Sequence, residues 1–136
     1  MIRLLFFFLV FFLNFNKSYS DDVSRAYFAG GCFWCMEESF EKISGVLEVV
    51  SGYSGGKIKN PTYKEVINGN TGHFETIEVK YNNDLIKFED LLKIFWKNVD
   101  PFDAEGQFCD KGASYRAVIF YSSINEKKLI DESVKK

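Results

Sequence analysis

Ala26-Tyr27-Phe28-Ala29-Gly30-Gly31-Cys32-Phe33-Trp34-Cys35-Met36-Glu37-Glu38 is the stretch on which both fold and chemistry turn. A strand-like run, residues 26–29, meets two glycines. A thiol, two large aromatics and a second thiol follow, and then Met36, Phe40 and Ile43 recur with helical period. This order predicts a strand-to-helix junction with Cys32 at or near the helix N-terminus. Unpaired N–H groups and the helix dipole favour an anion there, which suits a thiolate nucleophile. The glycines let backbone approach a ligand closely. Phe33 and Trp34 fit such a turn best as walls of a small apolar pocket.

A solitary cysteine is most often inert packing. Two cysteines three residues apart at a helix start suit a redox pair better. A zinc half-site is the other option for that spacing. With three cysteines, one histidine and no second close pair, no metal is expected.

The 136 residues fit one domain with a real core. A formal net charge of −2 leaves no basic footprint, so no nucleic-acid partner is expected. Residues 1–20 read as a secretory signal. Arg3 is a minimal basic region, Leu4 to Leu13 is an unbroken apolar run, and Ser18-Tyr19-Ser20 sets small residues before cleavage at Asp21. The run is short for a span, which needs about twenty apolar residues. The mature protein is therefore expected to be exported, periplasmic or secreted, without stable membrane insertion; an uncleaved anchor is the alternative. An oxidising compartment leaves at least one of three cysteines unpaired within the chain.

Beyond the opening strand and helix, Ser44-Gly45 stops the helix. Val46 to Val50 reads as a strand buried on both faces. Residues 51–62 are expected to be loop, and Tyr63 to Ile67 a short turn of structure. Asn68-Gly69-Asn70-Thr71-Gly72 is a turn cluster. Phe74 to Tyr81 then alternates with period two. Its odd positions are Glu75, Ile77, Val79 and Tyr81, so a core-facing Ile77 and Val79 carry Glu75 inward with them. A carboxyl on an apolar face is desolvated and holds its proton, as a general acid must. The alternative sets Glu75 at the strand end, in solvent or against a helix N-terminus.

A helix is expected over about 85–99, with Phe88, Leu91, Leu92, Phe95, Trp96 and Val99 as its core stripe. Asp100-Pro101 closes it. A polar loop over 101–114 carries Cys109-Asp110. Tyr115 to Tyr121 reads as a strand, and Ile124 onward as a helix. The order predicts an α+β fold: a two-layer sandwich with helices on one face of a mixed or antiparallel sheet, in a ferredoxin-like β-α-β-β-α-β pattern.

Two motifs mislead. Gly52-Tyr53-Ser54-Gly55-Gly56 has the form of a serine-hydrolase elbow, but a Pro-containing loop follows where a helix is required, so a turn is expected. His73 invites pairing with Cys32 as a hydrolase base. A single histidine between Gly72 and a strand is more often a structural hydrogen-bonder.

Taken together, Gly31-Cys32-Phe33-Trp34 with Glu37, the Gly52–Gly56 run, Asn60-Pro61-Thr62-Tyr63, Thr71-Gly72-His73-Phe74-Glu75, Phe95-Trp96-Lys97-Asn98, Asp100-Pro101 and Gly112-Ala113-Ser114-Tyr115-Arg116 resemble the A-type methionine sulfoxide reductases in order and spacing. The resemblance covers residues 25–123 and brings in a class that reverses methionine oxidation. It implies that Cys32 attacks the sulfoxide sulfur and Glu75 protonates the sulfoxide oxygen. Tyr63 and Tyr115 would hydrogen-bond that oxygen, Asp110 would line the pocket, and Phe33 and Trp34 would cage the S-methyl group. It further implies specificity for the S epimer, oxidised methionine in proteins or peptides as substrate, a thioredoxin-like reductant as partner, and no cofactor.

Many members resolve the cysteine sulfenic acid with C-terminal cysteines. The catalytic domain, residues 21–136, is expected to be incomplete at that end, leaving Cys35 and Cys109 as resolving candidates. Cys35, one helical turn from Cys32, is favoured over Cys109 beside Asp110. A monomer is expected. Rival readings are a general CxxC thiol–disulfide oxidoreductase, and an inactive, truncated binder of oxidised peptides.

Overall fold

Alternation along β1 (Val23–Ala29) turns Ala26 and Phe28 to one face and Tyr27 to the other. The computed structural model describes residues 22–135, so the expected signal segment, residues 1–20, lies outside the described residues. After β1 come α1 (Phe33–Glu41), β2 (Val46–Ser54), α2 (Tyr63–Ile67), β3 (Phe74–Asn82) and α3 (Phe88–Lys97). A small hairpin, β4 (Gly106–Gln107) and β5 (Asp110–Lys111), precedes a 3-10 turn at Ala113–Tyr115, β6 (Val118–Phe120) and α4 (Ile124–Ser133).

The main sheet has the order β2-β3-β1-β6 and every pairing in it is antiparallel. α1 joins β1 to β2 across the intervening β3, and α3 joins β3 to β6 across β1. These are the two split crossovers of the ferredoxin-like pattern, and they resolve the expected mixed-or-antiparallel sheet as antiparallel. Phe28, at the centre of the helix-facing side, stacks with Phe40 of α1 at 5.3 Å and with Phe95 of α3 at 5.4 Å. Ile77, Val79, Leu91 and Leu92 complete this core. Trp96 packs against it, and its indole N–H donates to Ser133 Oγ at 2.9 Å, fixing α4 to α3.

Several sequence expectations are corrected. β2 is an outer strand: Val49 is buried, but Leu47 and Val50 are about half exposed, at 51% and 49%. β-branched composition reports strand propensity, not which faces are covered. The strand also runs on to Ser54, so Gly52-Tyr53-Ser54 is ladder rather than turn, paired with Thr76, Glu75 and Phe74. α3 begins at Phe88 because Leu85 and Ile86 N–H groups both donate to the Asn82 carbonyl in a separate turn. The expected strand from Tyr115 is confined to Val118–Phe120, with Tyr115 in the 3-10 turn. The expected loop over 101–114 holds the β4–β5 hairpin.

Candidate active site

Gly31 takes a φ of +87°, a left-handed conformation that glycine reaches without Cβ strain. The chain then turns sharply from β1 into α1 with Cys32 as N-cap. The Cys32 carbonyl accepts from the N–H groups of Cys35 (3.1 Å) and Met36 (3.2 Å). Its side chain, half-buried, stands at the positive end of the helix dipole. Cys35 follows one turn on and is exposed. The hydrogen bond between the two thiols, with burial adding to it, raises Cys35 above the ordinary cysteine range.

β3 carries Glu75 to the same place. It sits on the core face with Ile77 and Val79, as its parity requires, and is 2% exposed. Oε2 accepts from the Phe33 N–H at 3.1 Å, whereas Oε1 is buried with no hydrogen-bond partner among the described residues. Burial drives the Glu75 pKa upward and the Asp110 charge adds to that rise; the Phe33 N–H opposes both. The carboxyl is therefore biased toward its protonated form and has one oxygen free for a ligand.

Tyr63 is the first residue of α2, whose start is fixed by a capping box. The Thr62 N–H donates to Glu65 Oε2 at 2.7 Å, and the Glu65 N–H donates to Thr62 Oγ1 at 3.4 Å. Tyr115 reaches the site from the 3-10 turn. Burial first, and then a hydrogen bond with Tyr63, push its pKa up, so its hydroxyl stays protonated as the donor. Asp110 is exposed on β5, and its charge acts on Glu75, Tyr115 and Cys35 together.

The aromatic pair divides its work. Phe33 is 6% exposed and forms a floor, while Trp34 is 63% exposed and forms a wall. Tyr63 stacks on Trp34 at 6.3 Å and on Phe33 at 6.4 Å. Tyr53 closes the floor at 5.7 Å from Phe33, and it pairs with Glu75 in the ladder. Burial and the neighbouring Glu75 charge raise its pKa too. Tyr53 was hidden in the sequence because its glycine-rich setting reads as a turn; its register opposite Glu75 is what carries it inward.

Cys109 occupies the exposed tip of the β4–β5 hairpin, next to Phe108 at a φ of +50°. The structure brings Cys32, Cys35, Phe33, Trp34, Tyr63, Glu75, Asp110 and Tyr115 together, while Cys109 is joined to them only through its neighbour Asp110 in the hairpin. His73 is not one of them. Its Nδ1 accepts from the Gly56 N–H at 3.2 Å and its Nε2 lies 2.8 Å from the Ile58 carbonyl, so both ring nitrogens are spent on the loop. Neither remains to act as a base. Among the described residues no group of acidic, cysteine and histidine side chains is arranged to hold a metal. A cavity of about 670 Å³ lies elsewhere, between α3, β6 and α4, and contains none of these residues.

Comparison with known proteins identifies the family. The family model described as peptide methionine sulfoxide reductase matches residues 24–136. The peptide methionine sulfoxide reductase MsrA of Bacillus licheniformis is 49% identical over 111 residues, covering 82% of this chain and 61% of the relative. That of Bacillus subtilis is 49% identical over 114 residues, covering 84% and 64%. The chain thus spans less than two thirds of the length of these curated relatives. Methionine sulfoxide reductase A of Corynebacterium diphtheriae superposes with a TM-score of 0.75 at 29% identity, over 81% of this chain and 55% of that one. Reduced Mxr1 from Saccharomyces cerevisiae gives 0.78 at 28% identity, over 83% and 67%. A family model that matches almost all of the described residues, with relatives nearly half identical over four fifths of the chain, leads to one conclusion: the chain belongs to the peptide methionine sulfoxide reductase family.

Proposed function

We propose that this chain reduces methionine S-sulfoxide, chiefly in proteins and peptides, to methionine. The observation that carries this reading is Glu75: a buried carboxyl biased toward its acid form, with Oε1 unpartnered beside the Cys32 helix start. The Cys32 thiolate attacks the sulfoxide sulfur while Glu75 delivers its proton to the sulfoxide oxygen. The S–O bond breaks, the hydroxyl passes to the Cys32 sulfur as a sulfenic acid, and methionine leaves. The sulfoxide loses its oxygen and gains two electrons, and Cys32 loses two. Charge grows on the oxygen as the thiolate attacks, so Tyr63 and Tyr115 hydroxyls aimed there bind the transition state more strongly than the substrate. The apolar floor and wall of Phe33 and Trp34 suit the S-methyl group, and Asp110 borders the polar side.

Cys35 then attacks the sulfenic sulfur, water departs, and a Cys32–Cys35 disulfide forms. The hydrogen bond between the two sulfurs supports Cys35 over Cys109 as the resolving residue. A thioredoxin-like dithiol returns the pair to its reduced state by exchange. Export after cleavage at Ser20 remains part of this reading, and N-terminal sequencing of the mature protein tests it; retention of residues 1–20 contradicts it.

The contact between Cys32 and Cys35 also favours one other reading, a general thiol–disulfide oxidoreductase. Pre-reduced protein mixed with each sulfoxide epimer separately decides between them. Stoichiometric methionine from the S epimer alone, abolished in Cys32→Ser, supports the reductase. Insulin reduction with no sulfoxide turnover supports the alternative.

A further inference from the structure

We propose that Gln107, the fully buried side chain of the β4–β5 hairpin, is a positioning residue that holds the Cys32 turn and Asp110 in place for the reaction. The inference rests on the reductase reading above and goes beyond it. Gln107 is 1% exposed. Burying a carboxamide is unfavourable unless its polar atoms are bonded, and here they are. Oε1 accepts from the Asp100 N–H at 2.6 Å, and Nε2 donates to the carbonyls of Asp100 (2.9 Å) and Gly106 (2.7 Å). The head group therefore pins the segment leaving α3 to the hairpin.

The stem of the same side chain packs against Gly31, the residue before Cys32. A Cβ placed on Gly31 would lie 2.7 Å from the Gln107 Cβ, so no side chain fits between them. Gly30 is similarly close-packed: a Cβ there would lie 2.8 Å from Met36 Sδ of α1 and 2.9 Å from Val99 Cγ1, on the residue preceding Asp100. Gly31 thus rests directly on the Gln107 stem, and Gly30 rests partly on Val99, next to the Asp100 that Gln107 clamps. On its other side, Gln107 pairs across the hairpin with Asp110. Leucine or methionine would fill the volume but orphan the Asp100 N–H and leave its C=O with the Asp103 N–H at 3.3 Å alone. A polar residue here exchanges easy burial for a fixed distance between the Asp100 loop, the Gly31 turn and Asp110.

Gln107→Met tests this with two readouts on the intact chain. The first is single-turnover reduction of a methionine-S-sulfoxide peptide by pre-reduced protein. The second is alkylation of Cys32 by iodoacetamide, mapped by mass spectrometry, which needs no sulfoxide chemistry. A displaced turn is expected to lower the single-turnover rate about 10- to 100-fold with substrate KM little changed. It is expected to slow Cys32 alkylation about two- to fivefold as the sulfur leaves the helix N-terminus. The groups facing Glu75 are Asp110, Tyr53, Tyr115 and the Phe33 N–H, and loss of Asp110 from this set moves the basic limb of the pH–rate profile to lower pH. Unchanged rates and an unchanged profile in a folded variant overturn the positioning role, whatever its melting temperature. A wild type that reduces no sulfoxide, beside a variant with slowed alkylation, overturns the activity reading and leaves the positioning role intact. If Gln107→Met does not fold, Gln107→Asn is read the same way, since it keeps the amide but withdraws it from Asp100.

Discussion

The Phe33 N–H donates to Glu75 Oε2 at 3.1 Å, tying the residue after Cys32 directly to the buried carboxyl on β3. This one bond holds the Glu75 carboxyl against the start of α1 beside Cys32, and it leaves Oε1 as the carboxyl oxygen without a partner among the described residues. Glu75→Gln keeps the acceptor for Phe33 but removes the proton. Turnover is expected to fall about 10²- to 10⁴-fold with the fold intact. Epimer-specific sulfoxide assays and circular dichroism on the same sample check it.

The same substitution has a signed effect on stability. Burial holds the folded-state pKa of Glu75 above its ordinary value of 4.5. The native state thus binds a proton more tightly than the unfolded chain, and this contribution is complete below the unfolded pKa. It is lost as pH rises through the higher folded pKa. Glutamine has no such dependence. The melting temperature of Glu75→Gln relative to wild type is therefore expected to increase from about pH 4 to about pH 8. A constant difference across that range contradicts a protonated, buried Glu75.

The proposed activity is expected to follow the same proton. A general acid works while protonated, so kcat/KM is expected to decline as pH rises through the elevated Glu75 pKa. Asp110 contributes to that elevation through its charge. Asp110→Asn is expected to move the basic limb to lower pH, and a pH–rate profile of both proteins reads the shift. Movement in the opposite direction excludes Asp110 as a neighbour that matters.

Tyr115 and Tyr63 form one unit, because their hydroxyls are hydrogen-bonded to each other. Removing either donor at a developing oxyanion is expected to cost about 10²-fold in kcat. Tyr63→Phe with Tyr115→Phe together is expected to cost less than the product of the single losses, since groups in one network do not add. Multiplicative losses in the double variant refute the shared role.

Cys35→Ser separates chemistry from recycling. The first turnover is expected to proceed at close to the wild-type rate, with later turnovers lost under a dithiol donor. Peptide mapping of wild type after one equivalent of sulfoxide is expected to find Cys32 joined to Cys35. A Cys32–Cys109 peptide instead assigns resolution to the hairpin tip.

Much of this was open to reading along the chain, because local physics decided it. Two glycines between an apolar strand and a helical period place Cys32 at a helix N-terminus wherever the rest of the chain goes. Period-two alternation in β3 puts Glu75 inward with Ile77 and Val79 for the same reason. Tertiary structure alone decided what depends on residues distant in sequence. Val46–Val50 carries the composition of a buried strand, yet only its place at the sheet edge leaves Leu47 and Val50 exposed. Tyr53 reads as turn until pairing with β3 sets it opposite Glu75. Gln107 gives no local signal, since its three hydrogen bonds and its contact with Gly31 arise only when a hairpin from the second half of the chain closes on a turn from the first. Backbone periodicity fixes which way a side chain points; what it meets there is set by packing across the fold.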